Sequence, residues 1–218
     1  MAVLLLACVG PMQSWGTRSR FTDRDTEREP SKSGVVGMMC AAIGRDRSLP
    51  VDDFAAMKMG VRVDLEGVLQ KDFQTAQNVV TADRKKRRDL ISNRWYLSDA
   101  AFLVGIEGDA ELLNSVHNAL KKPVWPLALG RKSYLPSVGP YLEDGYFETG
   151  TLREVLESYP PINVYVAKHS EPLRFVIESE RKTENVRMDV PVSFAHGSRT
   201  FAQRYVQIIW KERADVFK

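Results

Sequence analysis

Residues 3–9, with the sequence VLLLACV, form a continuous apolar run that ends at Gly10-Pro11. A short run without polar alternation is typical of a central strand that is covered on both faces. The run lacks the basic leader of a signal peptide, and it is far shorter than the roughly 20 apolar residues of a membrane span. It predicts a buried strand at the start of a cytoplasmic protein that does not contact a membrane.

Outward from this strand, the next regular pattern lies between Ser31 and Gly44. Apolar side chains at positions 35, 36, 39 and 43 recur at helical spacing, Ser31 or Ser33 supplies the N-cap, and Gly44 supplies the stop. Residues 57–66 then alternate, with apolar side chains at the odd positions, which predicts a strand. A turn at positions 66–67 leads into a second strand that runs toward position 77.

A further strand and helix follow in residues 100–122. Residues 100–106 are apolar, and Asp109 caps a helix that closes at Lys121, Lys122 and Pro123. A strand, a helix, further strands and a second helix in this order outline the ferredoxin-like or RRM-like split βαβ unit. The predicted fold class is therefore α+β.

The character of the sequence changes after Pro123. Prolines punctuate a loop-rich stretch, and short alternating strands follow at about residues 163–168, 173–179, 186–194 and 203–210. We place a domain boundary near Lys122. The first domain then covers residues 1–122, and residues 123–218 hold a smaller antiparallel β region.

The composition is that of an ordinary globular protein, with 44% hydrophobic and 27% charged residues. The net charge is only +3, so nucleic-acid binding has to be argued from where the charges lie. Cys8 and Cys40 lie in apolar runs, which is typical of reduced core thiols. The three histidines have no partner at metal-ligand spacing, so we predict neither a metal nor another cofactor.

The most informative charge cluster lies in residues 83–95. It contains Arg84, Lys85, Lys86, Arg87, Arg88 and Arg94. Five consecutive cations repel one another unless a partner neutralises them, and the cluster lies between two strand patterns. We therefore predict a long basic hairpin at about residues 78–96. If all six cations met phosphates of a single strand, the salt slope of binding would be about −4. The alternative interpretation is a solvated, flexible loop.

The start of the first helix is a second candidate phosphate site. Lys32, Ser33 and the amide of Gly34 converge there with the positive end of the helix dipole. Simple N-capping by serine explains the same residues without any ligand.

A third candidate is the glycine turn LGRKS at residues 129–133. Its Arg131, Lys132 and Ser133 follow a glycine that lets a phosphate backbone approach closely, although an exposed basic turn explains them equally. No glycine lies five residues before Gly130, and Pro136 blocks the helix that a P-loop needs. Nucleotide hydrolysis is therefore excluded.

The fourth candidate is the segment GPMQSWG at residues 10–16. Trp15 could stack on a base and Gln13 could read a base edge, or Trp15 could simply pack against the sheet. No serine, cysteine or paired-carboxylate active site is indicated, because no histidine adjoins a nucleophile at a known spacing.

Four collinear segments resemble the signatures of CasD-type (Cas-five-type) subunits of Cascade, the RNA-guided type I-E CRISPR surveillance complex, which belong to the RAMP superfamily. They are residues 10–16 (GPMQSWG), 30–45 (PSKSGVVGMMCAAIGR), 93–108 (NRWYLSDAAFLVGIEG) and 123–136 (PVWPLALGRKSYLP). The stretch 191–205, which begins PVSF, resembles the C-terminal segment of that family. The resemblance covers nearly the whole chain.

The resemblance implies an RRM-like RAMP domain with an inserted β-hairpin thumb, which would be the basic arm, and a smaller C-terminal β region. It implies a non-catalytic subunit that caps the 5′ handle of crRNA in antiviral defence. The expected neighbours are the backbone subunit and the large PAM-recognising subunit of Cascade. Target DNA would be reached only through the complex, and its sequence would be read by the guide.

The roles of single residues are hypotheses that combine the resemblance with their chemistry. Arg84, Lys85, Lys86, Arg87, Arg88 and Arg94 would hold guide phosphates, and Lys32, Ser33 and Gly34 would hold phosphate at the helix start. Gln13 and Trp15 would touch handle bases. Arg131, Lys132 and Ser133 would secure the RNA backbone at the glycine turn.

Two other functions compete with this one. A metal-independent endoribonuclease that processes precursor crRNA would need acid and base groups, for which Lys132, Tyr134 and His196 are the candidates. The resemblance implies that relatives which process precursor crRNA have a histidine directly after this lysine. In this chain Ser133 follows Lys132 instead, which argues against cleavage. A stand-alone RRM-like protein would lack partner surfaces, whereas a complex subunit would leave apolar groups such as Trp125, Leu135 and Tyr141 exposed until assembly.

Overall fold

The computed structural model of the chain describes residues 1–18, 22–162 and 171–217. Its strands are β1 (Ala2–Val9), β2 (Met12–Gln13), β3 (Asp23–Arg24), β4 (Lys58–Leu65), β5 (Val68–Val80), β6 (Arg87–Ser98), β7 (Ala101–Gly108), β8 (Tyr146–Phe147), β9 (Leu173–Ser179), β10 (Val186–Ser193) and β11 (Thr200–Lys211). Its helices are α1 (Lys32–Ile43), α2 (Asp52–Ala55), α3 (Ala110–Lys121) and α4 (Leu152–Ser158). Within these described residues, no helix is long and apolar enough to cross a membrane.

Strand β1 lies next to the edge strand β8 in a seven-stranded antiparallel sheet with the order β10-β11-β9-β4-β7-β1-β8. It pairs with β7 from Ala2↔Gly108 to Val9↔Ala101, and Ala2 to Cys8 are buried. Leu4 and Leu6 join the core that also contains residues of α1 and α3, whereas Val3 and Leu5 join a second core beneath α4. The predicted strand and its burial on both faces are confirmed, but β1 lies one strand from the edge of the sheet rather than at its centre.

The predicted alternation of residues 57–66 is also confirmed, but both of its faces are buried. Met59 and Val61 face the α1–α3 core. On the other face the guanidinium of Arg62 pairs with Asp64 at 2.6 Å and donates to the carbonyls of Leu156, Tyr159 and Pro160 at the end of α4. A buried charged face is stable here because each guanidinium bond finds an acceptor.

Helix α1 begins and ends where the sequence predicts. Ser31 is the N-cap residue, although its side chain makes no capping bond, and Gly44 closes the helix with a φ of 73°. Asp109 caps α3 by accepting from the amide of Leu112 at 2.8 Å. Helix α4 lies in the proline-rich stretch, where no helix was predicted.

Strands β5 and β6, which lie between β4 and β7 in the chain, pair with each other as a long hairpin. The pairing runs from Val68↔Ser98 to Val80↔Arg87, so the hairpin is longer than the predicted range of 78–96. Its base is widened on the other edge of β6 by β2, which pairs antiparallel, and by β3, which pairs parallel. The result is a second, four-stranded sheet.

The C-terminal strands extend the main sheet. Strand β9 coincides with the predicted strand Leu173–Ser179, and it pairs directly with β4, so the sheet runs across the predicted boundary near Lys122. The strand predicted at residues 163–168 lies outside the described residues. Two sets of ion pairs also join β9, β10 and β11 to the α1 side of the molecule; they are Lys32–Glu178–Arg204–Asp189 and Arg187–Glu29–Arg174–Glu66.

Candidate nucleic-acid interface

A pocket of about 400 Å³ opens where the hairpin base, the start of α1, the glycine turn and the β10–β11 loop meet. We call it the arginine pocket. Its lining includes Ser14, Trp15, Arg24, Asp25, Ser33, Gly34, Arg94, Gly130, Arg131 and Arg199. Three of the four segments that the sequence singled out therefore reach one site, together with Arg94 from the fourth.

Strand pairing explains two of the arginines. In the parallel pair of β3 and β6, Arg24 is the register partner of Arg94, so both side chains lie on the same face of the four-stranded sheet. Arg94 is half-buried, and its Nε donates to Ser92 at 3.3 Å. Two guanidinium groups side by side favour an anion between them.

The glycine turn places the third arginine. The Nη1 of Arg131 donates to the hydroxyl of Tyr134 at 2.8 Å, and its Nη2 donates to the carbonyl of Arg24 at 3.0 Å. These two bonds use two of its five N–H donors and fix the plane of the guanidinium. The remaining donors are held in position before any ligand arrives, which lowers the entropy cost of binding.

The charge in the pocket is strongly unbalanced. Among the described residues that line it, Arg24, Arg94, Arg131 and Arg199 stand against one carboxylate, Asp25. None of these four arginines forms an ion pair with any part of the chain that the structure describes. Such a pocket is suited to a polyanion such as a nucleic-acid backbone.

The start of α1 contributes Ser33 and Gly34 to this pocket but not Lys32. The side chain of Lys32 is buried, and its Nζ pairs with both carboxylate oxygens of Glu178 at 3.0 Å. Its amide donates to Asp189 at 2.8 Å. Burial lowers the pKa of the Lys32 ammonium, and Glu178 offsets part of that effect. The charge of Lys32 is therefore already neutralised inside the protein, and this geometry does not support its predicted phosphate contact.

Gln13 and Trp15 are also internal. The side chain of Gln13 donates to the carbonyls of Cys8 at 3.0 Å and Ala100 at 2.8 Å, and it accepts from the indole Nε1 of Trp15 at 3.1 Å. Trp15 is 1% exposed and packs against Gly34, where a side chain would collide with its ring. The alternative that Trp15 packs in the core is correct, and the predicted base contacts of both residues do not fit this geometry.

A second, larger cavity of about 700 Å³ continues from the arginine pocket along α1, and we call it the α1 groove. It shares Ser33, Gly34, Gly130 and Arg199 with the arginine pocket. Lys132 lines this groove, whereas the exposed Ser133 lines neither cavity. Cys40 also lines it, but burial raises the pKa of this thiol to about 11, so it is protonated and unreactive near neutral pH.

The five consecutive cations occupy the exposed tip of the hairpin. Arg84, Lys85 and Lys86 lie in the turn, and Arg87 and Arg88 open β6. The tip is closed by the amide of Thr81, which donates to the carbonyl of Lys86 at 2.9 Å. The tip residues do not line the arginine pocket, so the chain presents two separate basic surfaces: the hairpin tip and the pocket at its base.

Sequence reasoning missed Arg24 and Arg199 in this site. Arg24 lies in a mixed-charge loop, and only its pairing with β6 brings it to Arg94. A weak signal for Arg199 existed, because it follows Gly197 in a polar turn between two predicted strands.

Of the three apolar side chains that the sequence predicts to be exposed, two are exposed. Trp125 is 41% exposed and Leu135 is 59% exposed. Tyr141 instead packs against His117, with ring centroids 4.9 Å apart. Two of the three named side chains are therefore available on the surface.

The fold and the site together define a mixed α/β protein that carries a basic hairpin and a pocket lined by four arginines. A family model described as CRISPR-associated protein (Cas_Cas5) matches residues 3–207. The chain belongs to this Cas5 family of CRISPR-associated proteins.

Individual proteins support the assignment. The chain is 29% identical over 180 residues to the CRISPR system Cascade subunit CasD of Escherichia coli (strain K12), covering 73% of this chain and 77% of the relative. It is similar to a structure described as a crystal structure of Cas protein, with 44% identity, a TM-score of 0.78, and 98% and 97% of the two chains covered. It is also similar to a chain of a CRISPR RNA-guided surveillance complex, with 32% identity, a TM-score of 0.79, and 96% and 90% coverage.

Proposed function

We propose that this chain is a non-catalytic subunit of a Cascade-type surveillance complex and that it holds the 5′ handle of the crRNA. The observation that carries the proposal is the convergence of four arginines in one pocket with the start of α1 and the glycine turn. The relatives reported above, a Cascade subunit and a chain of an RNA-guided surveillance complex, support the same assignment. The natural ligand of the pocket is then the phosphate backbone of the handle.

The finer features of the family fit the architecture under this proposal. The elements β1, α1, β4, β7, α3 and β8, with the spatial order β4-β7-β1-β8, serve as the RRM-like RAMP domain. The β5–β6 hairpin serves as the thumb, and the Arg84 to Arg88 tip rests against the guide. The exposed Leu135 contacts the backbone subunit or the large PAM-recognising subunit, and target DNA is met only in the assembled complex.

The endoribonuclease alternative gains no support from the candidate acid and base groups. Tyr134 is 6% exposed, and its hydroxyl accepts a hydrogen bond from Arg131. Neither Tyr134 nor His196 lines the arginine pocket or the α1 groove, where Lys132 is found. A general base has to reach the proton that it abstracts, and these groups do not share a cavity.

The test is a co-purification of the tagged chain, expressed with its genomic neighbours and a CRISPR array. We expect guide-length RNAs that share one 5′ handle, together with large protein partners. Replacing Arg24, Arg94 and Arg199 with alanine should reduce the recovered RNA strongly. Neutralising Arg84 to Arg88 should weaken binding in a salt-dependent way, because each lost phosphate contact lowers the salt slope by about 0.7.

The matched control is the double substitution of Arg181 and Lys182 with alanine, which removes two exposed cations that line neither cavity. This variant should recover RNA like the wild type. Recovery of the chain alone, or with heterogeneous cellular RNA, would contradict the Cascade assignment. A specific cut of repeat RNA that persists in EDTA would instead establish the nuclease.

A further inference from the structure

The α1 groove has features that phosphate binding alone does not require. Three small residues of α1, Gly34, Gly37 and Ala41, form part of its floor, and Trp125 and Phe194 are its aromatic side chains. A floor of backbone and small side chains beside an aromatic ring leaves room for a planar group.

The backbone at Trp125 is attached to the C-terminal end of α1. Its amide donates to the carbonyl of Ala41 at 3.1 Å, and the amide of Val124 donates to Ala42 at 3.0 Å. These bonds satisfy carbonyls at the end of α1 and attach the segment to the helix. Trp125 nevertheless remains 41% exposed, so its side chain is accessible to a ligand while its backbone is anchored. An accessible aromatic ring is the usual element of a base-stacking platform.

The charges around the groove select the class of ligand. Lys132, Arg47 and Arg199 line it together with one acidic residue, Asp46, while the guanidinium of Arg45 is occupied by Asp53 at 2.6 Å. Arg199 lines the arginine pocket as well. Phosphate sites therefore continue directly into an aromatic cavity, which is the arrangement that a single strand with one splayed base requires.

We propose that the α1 groove binds one unstacked base of the RNA strand whose backbone lies in the arginine pocket, and that Trp125 is the residue on which this base stacks. The proposal rests on the proposed function and adds a base-binding site to it. It also supplies a base contact in place of those predicted for Trp15 and Gln13, whose side chains are internal. Because every base has a face that can stack, the site binds any of the four bases and does not discriminate between them.

The experiment measures binding of the full chain, alone and in its co-purified complex, to synthetic handle RNAs from which one base at a time is removed while every phosphate is kept. We expect one position at which base removal weakens binding by about 5- to 150-fold. The Trp125→Ala variant should show a similar loss with intact RNA and little further loss with the RNA lacking that base. Trp210→Ala is the matched control, since Trp210 is 60% exposed and lines neither cavity.

A second variant fills the groove without removing any contact. A Cβ added at Gly37 meets no atom within 4 Å, so Gly37→Leu should fold normally, and leucine favours a helix more than glycine does. Its melting temperature should equal or exceed that of the wild type, while base-dependent RNA binding is lost.

The outcomes separate the two proposals. Wild-type affinity for intact RNA in both Trp125→Ala and Gly37→Leu would overturn the base site and leave the phosphate-binding function standing. Failure of the wild-type chain to bind handle RNA, alone or in its complex, would overturn the proposed function and the base site with it. Stacking on Trp125 would also be rejected if, at each position, removal of the base weakened RNA binding by the same factor in Trp125→Ala as in the wild type.

Discussion

At the scale of single residues, Gly130 decides the geometry of the arginine pocket. Its φ is +90°, and a Cβ at this position would overlap the carbonyl oxygen of Ser14. The amide of Ser14 donates to the carbonyl of Leu129, the residue before Gly130, at 3.1 Å. The glycine turn is therefore attached to the segment that follows β1. The close approach that the sequence suggested is real, but the partner is the protein's own backbone.

Gly130→Ala should therefore destabilise the protein by about 2 kcal/mol or more, because the left-handed conformation and the contact with Ser14 both penalise a side chain. For a chain of this size, each kcal/mol corresponds to a fall of about 2–4 °C in melting temperature. Thermal unfolding followed by circular dichroism measures this. The control is Gly139→Ala, where a Cβ meets nothing within 4 Å and the melting temperature should hardly change. Equal melting temperatures for both variants would refute this account of Gly130.

Lys32 is a second residue whose role changes with the structure. Its Nζ is enclosed with Glu178, whose side chain is 18% exposed and also approaches Arg204 at 3.6 Å. Removing one member of a buried pair leaves the other charge without its partner.

We expect Lys32→Met to lower the free energy of unfolding by about 2–3 kcal/mol, less than for a fully enclosed pair because Glu178 keeps Arg204. The salt slope of RNA binding by the folded variant should remain that of the wild type. Chemical denaturation and binding titrations at several salt concentrations measure both quantities. The double variant Lys32→Met/Glu178→Gln should recover part of the stability. A reduced salt slope with unchanged stability would restore Lys32 to the RNA contacts.

At the scale of elements, α4 shows how a short helix holds one face of the sheet. Thr151 and Glu154 form a capping box, in which Thr151 Oγ1 accepts from the amide of Glu154 at 3.3 Å and Glu154 accepts from the amide of Thr151 at 2.9 Å. The helix places Leu152, Val155 and Leu156 over the second core. The sequence T-x-x-E before an apolar pattern was a readable signal for this helix.

Thr151→Ala should lower the free energy of unfolding by about 1 kcal/mol and the melting temperature by about 2–4 °C.

The amide and hydroxyl of Thr151 lower the pKa of Glu154 below its ordinary value of 4.5. The stabilisation from Glu154 is therefore present above this value and is lost as the pH falls through the lower, folded-state value. The difference in melting temperature between the wild type and Glu154→Ala should have its maximum value at pH 6 and should decrease toward pH 3. A constant difference would show that the capping charge does not contribute.

At the scale of the whole molecule, the main sheet and the buried ion pairs join both halves of the chain. Strand β4 lies between β7 and β9, and Glu29 binds Arg174 of β9 and Arg187 of β10 at 2.9 and 2.8 Å. A division at Lys122 would break a hydrogen-bonded strand pair and leave charged groups buried without partners.

We expect the described strands to unfold as one cooperative unit. Hydrogen exchange should show amides of β9 and β11 opening at the same free energy as amides of β1 and β7. Glu29→Gln should lower protection in both sets equally, because it weakens a contact that spans the unit. Earlier loss of protection in β9 and β11 alone would support two independent domains.

The sequence by itself determined the features that rest on local periodicity. Examples are the two-sided burial of β1, the stop of α1 at Gly44, the cap of α3 at Asp109, and strand β9. It also determined the family resemblance and the basic hairpin, because charge density and segment order are properties of the chain. These features follow from neighbouring residues, so they need no knowledge of distant contacts.

Only the tertiary structure decided which polar groups face inward and which form a site. Lys32 pairs with Glu178, which lies 146 positions along the chain, and this choice removes its charge from the surface. Three parts of the chain meet at the arginine pocket: the two-residue parallel pairing of β3 with β6, the glycine turn and the β10–β11 loop. Their meeting brings together Arg24, Arg94, Arg131 and Arg199. The physical reason is the same in both cases: desolvation and ion pairing depend on three-dimensional neighbours, and sequence spacing does not specify them.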